Sequence, residues 1–425
     1  MKSLCKRILL IALALTLLCT LSGCTLTLSR LLQNAAGSAA SDIAQPAPTA
    51  ENADTVTISK AEYERLSRYK ELDEVLKLVE TYYYQEPDMN QLVEYAERGL
   101  LAGLGDPYTY YYNPQEYSDM WSQDTGEYAG IGIQISASYE TKLCTVSRVF
   151  ASSPALNAGL HKGDVLLRVD DVDVTAYTLN DAVAIMRGEV GSPVHVKVQR
   201  GDQLLEFDIP RAKVHVNWVS SCMLDEQIGL ISLFEFSGDC FTAFESQLNA
   251  LLSQGAKGLI IDLRDNPGGW VDDAVKIADL FLPKCLVAYY EMRDGTRQDY
   301  YAADGALDLP LVILINENSA SSSEIFTGAM KDYGVATVVG KTSFGKGVVQ
   351  FVLGVGTAGA GIQLTAAQYY TPKGNAVHKV GIAPDIEIGM PEGDTTLYEL
   401  GDLNDAQLAK AYEVIRQKTS TKAQK

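Results

Sequence analysis

The stretch from Leu311 to Gln350 constrains this chain more than any other. It opens with a five-residue apolar run, Leu311-Val312-Ile313-Leu314-Ile315, then breaks into Asn316-Glu317-Asn318 and the small polar string Ser319-Ala320-Ser321-Ser322-Ser323-Glu324, where a helix-like segment begins. Further on, one lysine stands in the frame Phe344-Gly345-Lys346-Gly347, with Gln350 four residues later. A buried strand that feeds a hydroxyl into a helix N-terminus gives it a positive dipole end and unpaired backbone N–H groups, both suited to a developing oxyanion. A lysine in an apolar, glycine-framed turn can lose its proton near neutral pH and serve as a general base. Each piece has a plainer counterpart. Ser321-x-x-Glu324 is also a capping box in which Ser321 bonds the Glu324 N–H, and a lone lysine is most often a solvated surface charge.

Taken together, Asn316 to Gly334 and Val338 to Gln350 resemble the signature of the carboxyl-terminal processing (tail-specific) peptidases. The resemblance implies Ser321 as nucleophile, Lys346 as base and Gln350 as the residue that orients the lysine. Ser322 stands where many relatives carry alanine, a change that keeps the backbone N–H. The run Leu259 to Gly269, ending Asp265-Asn266-Pro267-Gly268-Gly269, is similar to the strand and glycine turn that contributes the oxyanion hole. The backbone N–H groups of Gly268, Gly269 and Ser322 are the implied donors. In such a turn glycine lets the backbone approach a carbonyl without Cβ obstruction. Gln363 to Gly374 and Gly381 to Ile386 are similar to the family's closing strands, so the resemblance spans about residues 60 to 388.

The implied fold is α/β: a mixed α/β serine-lysine protease core, ClpP/crotonase-like, carrying an inserted β-rich PDZ domain and helical N- and C-terminal segments. Residues 125–212 resemble the PDZ module. Gly130-Ile131-Gly132-Ile133 fits its carboxylate-binding loop, Lys162 to Val169 a following strand, and Leu179 to Met186 the helix along the peptide groove. N–H groups of such a loop can hold a terminal carboxylate while the peptide adds as a strand. Asp171 replaces a glycine usual in the next turn and tolerates a left-handed backbone better than most residues. Because the module can gate the protease in this family, Arg187 is a candidate contact to the active site.

The N-terminus reads as processing rather than fold. Lys2, Lys6 and Arg7 precede the apolar stretch Ile8 to Leu21, and Leu21-Ser22-Gly23-Cys24 resembles a bacterial lipobox. The expectation is a lipoprotein signal peptide over 1–23, lipidation of Cys24 and attachment to the outer face of the cytoplasmic membrane. Residues 24–57 are too small and polar to bury a core and read as a tether. A helical region then spans 58–124, with Tyr63, Leu66, Tyr69, Leu72, Val75, Leu76 and Val79 at helical spacing and a second helix from Met89 to Leu104. The string Gly103-Leu104-Gly105-Asp106-Pro107-Tyr108-Thr109 resembles the family's N-terminal helical region, which implies either a dimer contact or a cap on the core.

Buried runs at Ile228 to Leu233, Leu259 to Leu263, Leu311 to Ile315 and Ala336 to Val339 alternate with helices across a core of 213–389. The tail 390–425, with Leu397, Leu400, Leu403, Leu408, Ala411 and Val414, reads as a terminal helix pair packing on the N-terminal helices or on a second subunit. A formal charge of −19 opposes nucleic acid or anionic lipid as partner. Cys144, Cys222, Cys240 and Cys285 are too few for a disulfide framework in so long a chain. Four histidines without a paired ligand motif indicate no metal, and no cofactor is expected. The function so implied is C-terminal cleavage of protein substrates. The rivals are a non-catalytic PDZ adaptor on a protease scaffold and an acyl-CoA-handling enzyme with similar oxyanion turns.

Overall fold

The computed structural model describes residues 56–423 apart from 125, 139–140, 304–305, 392–395 and 397. The expected signal peptide, Cys24, nearly all of the tether and Leu397 lie outside the described residues. The described residues fall into two units, divided between Pro87 and Asp88.

In the first unit the expected helix from Lys60 is two helices, Lys60–Ser67 and Lys70–Tyr82, separated by a turn in which the Tyr69 N–H bonds the Leu66 carbonyl (3.0 Å). The Ser59 hydroxyl caps the first by accepting the Glu62 N–H. Tyr63, Leu66, Tyr69, Leu72, Val75 and Leu78 are all exposed.

The second unit is built on three main sheets. The first is a six-stranded sheet in the order Val219–Met223, Ile228–Leu233, Gly258–Asp262, Leu311–Ile315, Ala336–Gly340, Ile386–Glu387, parallel except for its first pair. Parallel strands covered on both faces read as unbroken apolar runs, which is why Leu311–Ile315 is buried at every position. On one face the helices Cys240–Ser253, Val271–Asp279 and Ser322–Asp332 carry Phe244, Ile277 and Phe326 into the main core, joined by Phe281 just past the second helix.

The opposite face corrects the reading of the tail. The tail forms one described helix, Ala406–Ala423, and not a pair. It buries Leu408, Ala411 and Ile415 against Ile228, Leu230, Ile260, Val312 and Leu314 of the sheet. Those alternate strand residues would otherwise face water, so the helix is part of the core's own fold. Arg264 pins its start, bridging Asp262 and Asp405 at 2.7 Å each. Burial opposes that guanidinium's charge, but the two carboxylates outweigh it and raise its pKa.

A second sheet carries the long strand Ala360–Tyr370, paired with Val348–Val355, with Leu286–Met292 and with the short Tyr110–Tyr112. The third, within the segment that resembles a PDZ module, is antiparallel: Ile133–Ala137, Cys144–Val149, Val165–Val169, Pro193–Arg200 and Gln203–Pro210. The Leu179–Met186 helix forms over the expected residues. The left-handed residue of the tight turn is Asp170 (φ 47°), one position before Asp171. Arg148 joins module to core: its guanidinium lies 3.6 Å from the centroid of the Phe234 ring and donates to the Asn217 carbonyl, and burial pulls its pKa down to about 10. The four cysteines beyond the N-terminal segment are free thiols.

Candidate active site

Ser321 sits where the Leu311–Ile315 strand turns into the Ser322–Asp332 helix, and its backbone is forced to φ 54°, ψ −115°. A left-handed serine costs of order 1–3 kcal/mol and persists only where its surroundings fix it. Here they do. Ser319, fully buried, donates its hydroxyl to the Leu263 carbonyl (2.7 Å) and accepts the Asn316 N–H (2.9 Å). The Ala320 N–H bonds the Asn266 carbonyl (3.0 Å), and Ser323 Oγ donates to the same oxygen (3.1 Å).

The Asn266-Pro267-Gly268-Gly269 turn presses against this bend. At Gly268 (φ 105°) an added Cβ would lie 2.6 Å from Ser321 Cβ and 2.9 Å from the Ser322 nitrogen, so only glycine fits. Ser322 Oγ donates to the Gly269 carbonyl (2.7 Å). The Gly268 N–H is already committed to Asn266 Oδ1 at 2.9 Å. Ser322 is the first residue of its helix, where an N–H has no intrahelical acceptor.

Lys346 lies in the expected glycine frame, and the frame has a steric cause. An added Cβ on Gly345 (φ 86°) would meet the Val380 and Gly381 nitrogens at 3.1 Å, and one on Gly347 would enter the His378 backbone. Burial lowers the Lys346 pKa; Asp106 and Glu324 pull the other way and do not cancel it. Its Nζ rests 4.9 Å from the centroid of the Tyr108 ring.

Glu324 joins the two halves. Fully buried, it accepts the Ser321 N–H (2.8 Å) and the Lys346 N–H (2.9 Å) on one oxygen, and the Gly345 N–H (2.7 Å) and Ser343 hydroxyl (2.6 Å) on the other. Burial pushes its carboxyl above the ordinary value, and these donors pull back. The local reading of Glu324 as a helix cap sees only the first of these bonds. Gln350 donates its amide to Thr365 Oγ1 (3.2 Å), so the polar contact it makes is with the long strand.

Of the Gly130-Ile131-Gly132-Ile133 string, only Ile131 and Gly132 lie between strands. Gly130 ends strand Glu127–Gly130, paired with Ala212–His215, and the Ile131 side chain is in the PDZ core. The N–H groups of Gly132 and Ile133 face the hydroxyl of Tyr128, whose pKa burial raises to about 12. Arg187 stands over the same ring, 5.3 Å from its centroid, at the end of the groove helix. Tyr128, Asp106 and Tyr108 carry no local signal of such roles.

Three family descriptions match the chain: Peptidase family S41 over residues 227–388, PDZ domain over 122–199, and Activating protease CtpB N-terminal domain over 31–116. A carboxyl-terminal-processing protease of Synechocystis sp. is 36% identical over 340 residues, 77% of this chain and 79% of that protein. A carboxy-terminal-processing protease of Bartonella bacilliformis is 35% identical over 338 residues, 77% of this chain and 76% of that protein. Among solved structures, photosystem II D1 C-terminal processing protease superposes with a TM-score of 0.54 at 26% identity, covering 84% of this chain and 98% of that one. The chain therefore belongs to the carboxyl-terminal-processing proteases of peptidase family S41, and it is a serine peptidase with a PDZ domain.

Proposed function

We propose that this protein is an exported serine endopeptidase, anchored by a lipid on Cys24, that captures the exposed C-terminus of a protein and cleaves near it. Ser321 Oγ attacks the scissile carbonyl while neutral Lys346 takes its proton. Lys346 then returns the proton to the leaving amine, and water hydrolyses the acyl-enzyme by the same route. With the Gly268 N–H committed to Asn266, the N–H groups of Gly269 and Ser322 are the oxyanion donors in this reading. Lys346 is prepared for the task because burial favours its uncharged form.

In the same reading 58–124 is a helical region, 125–212 the PDZ domain, 213–389 the catalytic core and 390–425 the tail. Gly132 and Ile133 supply the N–H groups for the substrate carboxylate. The exposed stripe Tyr63, Leu66, Tyr69 and Leu72 suits a homodimer built through the terminal helices. The observation that carries the catalytic assignment is the left-handed Ser321, held at a helix N-terminus against Gly268 by contacts no other residue would permit. Ser321→Ala should abolish cleavage and leave the fold intact, whereas Ser323→Ala should lose one hydrogen bond, about 1 kcal/mol, and keep turnover. Substantial cleavage by purified Ser321→Ala would refute it. Expressed at the membrane, the same inert form should retain substrates for identification.

A further inference from the structure

The fold brings Gly105 to Thr109 to the lysine. Strand Tyr110–Tyr112 pairs with Gly361–Gln363, and the Tyr108 carbonyl accepts the Gln363 amide (3.1 Å), so the loop is fixed to the sheet that also carries Gln350. Within the loop, Asp106 accepts the Thr109 hydroxyl (2.5 Å) and the Tyr108 N–H (3.2 Å), with the Thr365 side chain beside it. Thr109 Oγ1 in turn accepts the Thr365 N–H (3.1 Å), and Thr365 Oγ1 accepts the Gln350 amide. A chain of contacts thus runs from Gln350 through Thr365 to Asp106 and Thr109, beside the Tyr108 ring on which the lysine rests.

We propose that this loop is the positioning element of the general base: Tyr108 supplies the face that orients Lys346 Nζ, and Asp106 supplies the counter-charge that sets its proton affinity. The proposal rests on the reading of Lys346 as base. Gln350 then acts on the lysine through Thr365 and the loop. The charged and titratable groups facing Lys346 are Asp106 and Tyr108 from the loop and Glu324 from the nucleophile helix. Tyr369 backs Glu324, and His378 acts on Asp106. Burial would raise the Asp106 carboxyl, but its donors outweigh that and hold it below the ordinary range, so it is an anion whenever the lysine titrates. A fixed anion favours the protonated lysine and opposes burial. A loop from outside the catalytic core thus contributes, together with Glu324, to where between these two limits the base titrates.

The test uses the full chain. In a Ser321→Ala background the lysines are methylated with 13C-formaldehyde, the Lys346 resonance is assigned by its loss in Lys346→Arg, and it is titrated with and without Asp106→Asn. Asp106→Asn should lower the titration midpoint, and in active enzyme it should move the rising limb of kcat/KM to lower pH by the same amount. Tyr108→Ala should cut kcat by about 100-fold through misplacement of the base, and Tyr108→Phe, which restores the ring face, should recover most of it. Should Asp106→Asn fail to fold, Asp106→Ser, which removes the charge and keeps an acceptor for the Tyr108 N–H, should also lower the midpoint. A midpoint unchanged or raised in the folded variant, or Tyr108→Phe as slow as Tyr108→Ala, would overturn the proposal. Full activity in Lys346→Arg would instead overturn the reading of Lys346 as base, and the proposal with it, whatever Asp106 does to the titration.

Discussion

The backbone N–H groups of Ser321 and Lys346, 25 residues apart in sequence, bond the same oxygen of Glu324 at 2.8 and 2.9 Å. One buried carboxylate thereby ties the bend that carries Ser321, the proposed nucleophile, to the turn that carries Lys346, the proposed base. Glu324→Gln offers one acceptor oxygen and turns an NH2 group toward backbone donors, stranding about two of them. At about 1–3 kcal/mol for each buried unpaired donor, the variant should lose roughly 2–6 kcal/mol of stability and most of its turnover. Thermal melts read alongside kcat check this. Wild-type values for both would show that the carboxylate is not needed to hold the site.

The lowered pKa of Lys346 gives the pH profile its sign. The base acts when neutral, so kcat/KM should rise with pH through the lysine's midpoint, below the ordinary lysine value of 10.5. Lys346→Arg should be inactive at every pH, because a guanidinium stays protonated. A rate profile flat across the alkaline range in wild type would place the base elsewhere.

Tyr128 makes a prediction about tail capture. Its hydroxyl faces the Gly132 and Ile133 N–H groups, so in the proposed reading it competes with an incoming carboxylate for them. Tyr128→Phe removes that competitor and leaves the N–H groups without it in the free protein. Binding of a free-acid peptide should tighten by about 1 kcal/mol, close to fivefold, while the module itself becomes less stable. An amidated peptide should bind more weakly than its free acid in both proteins, since it lacks the charge. Calorimetry on the paired peptides decides this, and equal affinity for acid and amide would remove the loop from tail recognition.

The Leu21-Ser22-Gly23-Cys24 string makes a prediction about location. Cys24→Ala should release the protein from membranes or stall its processing, which fractionation and intact-mass measurement read directly. Unchanged membrane association of a fully processed Cys24→Ala protein would refute lipid anchoring.

The buried strands, the strand-to-helix bend at Ser321, the glycine frame of Lys346 and the helix at Leu179–Met186 were legible in the sequence because each is a local signal. An apolar run, a turn that admits only glycine and a 3.6-residue period depend on residues a few positions apart. Sequence order did not reveal what meets across the fold. Ser321-x-x-Glu324 looks the same whether the carboxylate merely caps a helix or also binds a turn 22 residues away. Asp106 and Tyr108 reach Lys346 across more than 200 positions, through the pairing of Tyr110–Tyr112 with the long strand. The tail's apolar spacing shows that Leu408 and Ala411 must be covered, but any apolar face satisfies that spacing. The sequence alone therefore determined the local elements and the groups they carry. The tertiary structure decided what surrounds them, because burial, hydrogen bonds and nearby charges set where a carboxylate points and when a lysine gives up its proton.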